Sequence, residues 1–142
     1  MITVRIVGVE SLSRKLHALE WPAQHDMLEK ALVAGALLVQ NEWKRRAPYR
    51  TGTYRRSIHI GGHTDQASDF EGEDLGKQSA GPDQAQVIIG TNITDPPYPK
   101  FLEEGTSKMA ARPSAGPALE AKRAEAVEEA GEAFQDMLRQ VT

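Results

Sequence analysis

The chain has 142 residues, the size of one domain, with 26% charged residues and a formal net charge of -3. That acidic balance argues against a general nucleic-acid binder, and the absence of cysteine excludes a disulfide framework, a cysteine-ligated zinc site and a thiol nucleophile together. No run of 18 apolar residues and no signal-peptide pattern is present, so a soluble protein made in the cytoplasm is expected.

Much of the apolar content is alanine, with three Phe, three Tyr and two Trp as large fillers. The expected core is therefore thin, with part of the stability drawn from neighbouring subunits. Ile2, Val4 and Ile6 alternate with Thr3 and Arg5, the two-residue period of a half-buried strand. After Gly8, Ser11 or Ser13 can cap a short helix whose Leu12, Leu16 and Leu19 form one stripe. Pro22 suits a first helical turn, and the helical pattern runs to Ala47 with Leu28, Ala31, Leu32, Leu38, Val39 and Trp43 on one side. Lys44-Arg45-Arg46 set positive charge against the negative end of that helix, and Pro48 stops it.

Thr51-Gly52-Thr53 predicts a turn and residues 54–60 a strand, with Ile58 and Ile60 on one face before Gly61-Gly62. Residues 65–84 carry six acidic residues and one lysine with almost nothing apolar, which predicts a flexible acidic loop at a hairpin tip. Residues 86–90 form the returning antiparallel strand. Thr94-Asp95-Pro96-Pro97 makes a turn, Pro99 and Gly105 bracket a short helix, and Ala111-Arg112-Pro113 is extended. After Pro117 a last helix carries Leu119, Val127, Ala130, Phe134, Met137, Leu138 and Val141 at helical spacing. The order β-α-α-β-β-α-α predicts one α+β domain over residues 1–142, a small antiparallel or mixed sheet packed by two long helices.

Chemistry-bearing patterns are sparse. Ser57 and Ser114 lack a nucleophile-elbow context. His59 and His63 are closely spaced, but on a strand running into a loop they share no rigid face, and a strand-end role is expected. Glu71, Glu73 and Asp74 lack the register of a calcium loop. Glu103 and Glu104 could be imagined as acid and base, but read better as helix-surface carboxylates, or one of them as an interface ion-pair partner. No phosphate-binding or dinucleotide-binding glycine motif occurs, and no cofactor is expected.

One local anomaly is basic: Lys44, Arg45, Arg46, Arg50, Arg55 and Arg56 fall within thirteen residues. They could complement the helix dipole and a solvated turn, or form a patch for phosphate or an acidic partner. A third reading has the acidic loop of one subunit facing the basic patch of the next in a ring.

Three segments resemble one family. Arg46-Ala47-Pro48 through Ser57-Ile58 is similar to the signature RAPvrTGnLrrSI. Tyr98 through Thr106 is similar to YApflEfGT, and Ser107-Lys108-Met109 through Leu119 to skMpARPFlrPAl. Together with the N-terminal strand and helix, they resemble the minor tail, neck or tail-completion proteins of long-tailed phages and prophages. The chain departs from the pattern at Thr53-Tyr54, where Asn-Leu is usual, and at Ser114-Ala115, where Phe-Leu is usual.

The resemblance implies a small α+β structural subunit of the virion, without catalysis or cofactor, assembling as a six-fold ring at the head-proximal end of the tail. Its implied partners are other copies of itself and the head-closure, tail-terminator or tail-tube proteins, with DNA in the channel as a further contact and no membrane. The alternatives are a nucleic-acid-binding module and a small phage-encoded hydrolase. Gly52 and Gly105 are expected at backbone angles closed to other residues, and Arg112-Pro113 as a rigid crossing. Tyr98 and Phe101 are expected as apolar anchors, in the core rather than at an interface, with Glu104 in the same motif.

Overall fold

The computed structural model describes residues 3–7, 21–48, 52–77, 85–93 and 98–141. The expected helix around Leu12, Leu16 and Leu19, the turn at 94–97 and Arg50 lie outside the described residues.

Strands β1 (Thr3–Val7), β2 (Ile58–Ile60) and β3 (Gln86–Thr91) form an antiparallel sheet in the order β1-β3-β2. Val4 lies opposite Ile89 on one side of β3, and Ile60 opposite Ile89 on the other. Helices α1 (Trp21–Arg46) and α4 (Ala115–Val141) supply most of the remaining core. Ile58, Ile60, Val87 and Ile89 join the shared core with Leu28, Val39 and Trp43 of α1 and Ala118, Ala126, Phe134 and Leu138 of α4. This is the α+β architecture the periodicities imply.

The abundance of alanine has a geometric use. A Cβ on Gly35 would sit 2.5 Å from the Ala126 carbonyl oxygen and 3.2 Å from the Ala130 Cβ. Small residues therefore let the two long helices approach backbone to backbone, so a thin core still closes.

Residues 53–57 differ from expectation: α2 (Thr53–Ser57) is a helical turn, and the chain becomes extended at Ile58. Tyr54, Ser57 and Ile58 fit helical spacing as well as Tyr54, Ile58 and Ile60 fit a strand, and so short a run satisfies either period. The left-handed Gly52 (φ 82°) decides it, because the Arg56 N–H reaches back to the Gly52 carbonyl at 2.9 Å. Two apolar expectations also fail. Leu38 is half-buried at the edge of α1, and Val127 stays 69% exposed because Ala126, one residue and about 100° away, takes the inward position.

The alternate face of the sheet is covered by the acidic segment. His59 and Ile88 point away from the helices yet are buried; the Phe70 ring lies 4.4 Å from that of His59, and the Leu75 N–H donates to His59 Nε2 at 3.0 Å. Residues 65–77 are thus laid across the back of the sheet rather than projecting from it. Asn92 Nδ2 donates to the Glu71 and Glu73 carbonyls, and Gly61 passes the Gly76 carbonyl too closely for a Cβ. Residues 78–84 lie outside the described residues.

Candidate functional site

The three signature segments meet at one joint. Trp43, fully buried near the end of α1, donates its indole N–H to the Tyr54 hydroxyl at 3.2 Å, and that hydroxyl lies 3.3 Å from Ser114 Oγ. Either hydroxyl can donate in the Tyr54–Ser114 contact, because the phenol oxygen can accept from Trp43 and Ser114 together. Burial pushes the Tyr54 phenol above its ordinary value, against the opposing hydrogen bonds of Ser114 and Trp43. Tyr54 and Ser114 are both departures from the family pattern, and here they touch. Against the pattern the sequence resembles, Tyr is larger than Leu and Ser is smaller than Phe at this contact.

Beside this joint, α3 (Tyr98–Glu104) delivers a carboxylate to the start of α4. Glu103 Oε1 accepts from the Ser114 and Ala115 N–H groups at 2.9 and 3.0 Å, and Oε2 accepts from Gly116 at 3.0 Å. One side chain therefore satisfies three free N–H groups and places negative charge at the positive end of a 27-residue helix. Its neighbour Glu104 is exposed and makes no ion pair among the described residues. Gly105 (φ 79°) then turns the chain, where a Cβ would meet the Ala111 nitrogen at 2.9 Å. The Arg112 N–H closes the loop on the Leu102 carbonyl at 2.6 Å, with the Arg112 and Pro113 side chains exposed.

Phe101 does not enter the core and is 40% exposed. A two-turn helix has one inward side, and here Pro99, Leu102 and Glu103 occupy it. Tyr98 opens α3, and its side chain lies outside the described residues. With Met109, 37% exposed, Phe101 leaves α3 and the loop after it carrying apolar groups on their surface.

The described cations of the basic segment are engaged within the chain. Arg45 and Arg46 both hold Glu42, which their hydrogen bonds bring down to about 2. Lys44 pairs with Asp69, which it holds below the ordinary range, and Arg56 pairs with Glu71 at 3.1 Å. Arg55 reaches the Ala47 carbonyl at 3.5 Å. The acidic segment thus meets the basic segment of its own chain.

No catalytic arrangement forms around the candidate serines and histidines. Ser57 Oγ donates to the Tyr54 carbonyl at 2.6 Å and accepts from Thr91, so its proton is committed to a backbone acceptor. His59 Nδ1 lies 2.9 Å from the Ser57 carbonyl and Nε2 meets the Leu75 N–H at 3.0 Å, so both ring nitrogens are engaged by the backbone. His63 Nε2 and Lys77 Nζ converge on Glu29 Oε1 at 2.9 and 3.1 Å. Burial pushes the Glu29 carboxyl up, but Lys77 and His63 outweigh it and hold it below its ordinary value. Among the described residues no His, Asp or Glu group could hold a metal ion, and no helix is long and apolar enough to cross a membrane.

The signature segments build an internal joint and a capped helix beside an arm with exposed apolar groups. The family model described as "Bacteriophage HK97-gp10, putative tail-component" matches residues 10–105, more than half of the chain. The chain belongs to this family of phage tail components. No curated protein and no solved structure matches it.

Proposed function

We propose that the protein is a structural virion subunit that forms a six-fold ring at the head-proximal end of the tail, joining tail to head without catalysis. The observation that carries this reading is the outward face of α3 and the loop that follows it. There Phe101 on α3 and Met109 on the loop face solvent, with the loop anchored by Glu103 and the Arg112–Leu102 hydrogen bond. Exposed apolar side chains on a rigid support fit a surface that is covered on assembly. Membership in a tail-component family supplies the setting. Head-closure, tail-terminator or tail-tube proteins are the neighbours such a ring would meet. DNA binding draws little support from the basic segment, where Lys44, Arg45, Arg46 and Arg56 already face Glu42, Asp69 and Glu71.

Deleting the gene from its phage tests the proposal directly. The expected result by electron microscopy is DNA-filled heads separated from completed tails, with joining restored by the gene in trans. Intact infectious particles without the protein would overturn it.

A further inference from the structure

α3 and the loop after it carry cations that no described residue of the chain pairs with. Residues 106–113 are exposed without a break, and Lys100, Lys108 and Arg112 make no ion pair among the described residues. The complementary surface lies on α4. Glu128, Glu129 and Glu132 are exposed and likewise unpaired among the described residues. The side chains three and four positions from each are carboxylate or uncharged, never cationic.

The two surfaces cannot meet within one chain. The basic arm is tied to the start of α4 through Glu103 and the Leu102 carbonyl. Glu132 lies 17 residues beyond Ala115, about 25 Å along the axis at the helical rise. Charge left free at one end and opposite charge left free further along describe a contact that each copy offers and accepts at different places.

We infer that the arm docks on the acidic face of α4 in a second copy of the chain, with Lys100, Lys108 and Arg112 meeting Glu128, Glu129 and Glu132. The inference rests on the self-assembly reading above and names its surfaces.

Charge reversal in solution tests it. One variant carries K100E/K108E/R112E and another E128K/E129K/E132K, with mass followed by light scattering against concentration and folding checked by circular dichroism melts. Each variant alone is expected to need at least about a hundredfold higher concentration to assemble, since like charges facing across an interface cost several kcal/mol. An equimolar mixture should recover assembly, because each arm then finds an opposite charge, and so should a single chain carrying all six reversals. Reversed variants that assemble like the parent would overturn the docking surface and leave the self-assembly reading standing. So would a mixture that recovers nothing. A parent chain that stays monomeric at every concentration would overturn both.

Discussion

Two charged regions of this molecule look alike in the sequence and behave differently in the fold. Around the end of α1, Lys44, Arg45, Arg46 and Arg56 each find a carboxylate of the same chain. Along the outer face of α4, Glu128, Glu129 and Glu132 find none among the described residues, and neither do Lys100, Lys108 and Arg112 on the arm. Charge density alone therefore says little about where a protein meets its partners. Residual charge, left after the fold has made its own pairs, says more. The inner region should reward intact chemistry with stability, whereas the outer one should be indifferent or even favour disruption.

The largest expected effects are inside. Gly35→Ala adds a better helix former, worth about 1 kcal/mol in a free helix, yet its Cβ would meet the Ala126 carbonyl oxygen at 2.5 Å. Since backbone must move, the net change expected in urea unfolding is a loss of roughly 1–3 kcal/mol. A net gain would show that α1 and α4 are not held as closely as described. The Tyr54–Ser114 contact gives a sharper test. Tyr54→Leu removes buried volume and Ser114→Phe adds it, so each alone should lose about 1–3 kcal/mol. The double variant restores the usual family pair and should lose less than the sum, by a coupling of about 0.5–3 kcal/mol. Strict additivity would mean the two departures do not compensate each other.

Glu103→Ala comes next. It leaves three N–H groups at the start of α4 without their carboxylate, and a loss of about 1–2 kcal/mol is expected from the missing cap. Glu104→Ala, one residue on at an exposed position, should leave thermal stability within about 0.5 kcal/mol. Acid should act on the inner region too. The hydrogen bonds of Arg45 and Arg46 hold Glu42 at about 2, well below its ordinary 4.5. A folded-state value below the unfolded one contributes stability that is present above pH 4.5 and disappears as pH falls toward 2. The melting temperature should therefore drop over that window, and Glu42→Gln should flatten the drop. An unchanged profile in that variant would assign acid sensitivity to Asp69 and Asp74 instead, both also held low, Asp69 chiefly by Lys44 and Asp74 by the Gly62 and Gly76 N–H groups against its burial.

What the sequence made legible follows the range of the forces involved. The long helix through Trp43 is readable because twenty-odd residues of one period outweigh local ambiguity. Gly52 and Gly105 are readable because a left-handed turn leaves a residue-type trace. The turn at 53–57 is not, since five residues fit two periods equally well. In the acidic segment composition shows few apolar groups, and it could not show that the Phe70 ring lies against His59, that the Leu75 N–H reaches the same ring, or that Ala67 is buried. Glu103 and Phe101 were missed for the same reason from opposite sides. Which face of a two-turn helix points inward depends on where α4 begins, and that is a fact of tertiary structure. Of the three readings of the basic segment, one paired it with the acidic loop of the next subunit, whereas the described part of that pairing closes within the chain.

The smallest expected effect separates the two regions most cleanly. Glu132 has Glu128 four residues before it and Asp136 four residues after, all exposed on one side of α4. Like charges at that spacing destabilise a helix by about 0.2–0.5 kcal/mol per pair. Glu132→Lys converts both repulsions to attractions, so the monomer should gain a few tenths to about 1 kcal/mol, more at low salt than at high. The same change removes one carboxylate from the face proposed to receive the basic arm, so assembly should weaken while the fold strengthens. Opposite signs in one variant, read as a higher unfolding midpoint and a higher concentration for assembly, would mean that this acidic face works for a partner rather than for its own helix. A gain in stability with assembly untouched would leave the stripe as ordinary solvated charge. A loss of stability would mean that these carboxylates are satisfied within the monomer after all, and the distinction between the two regions would fall.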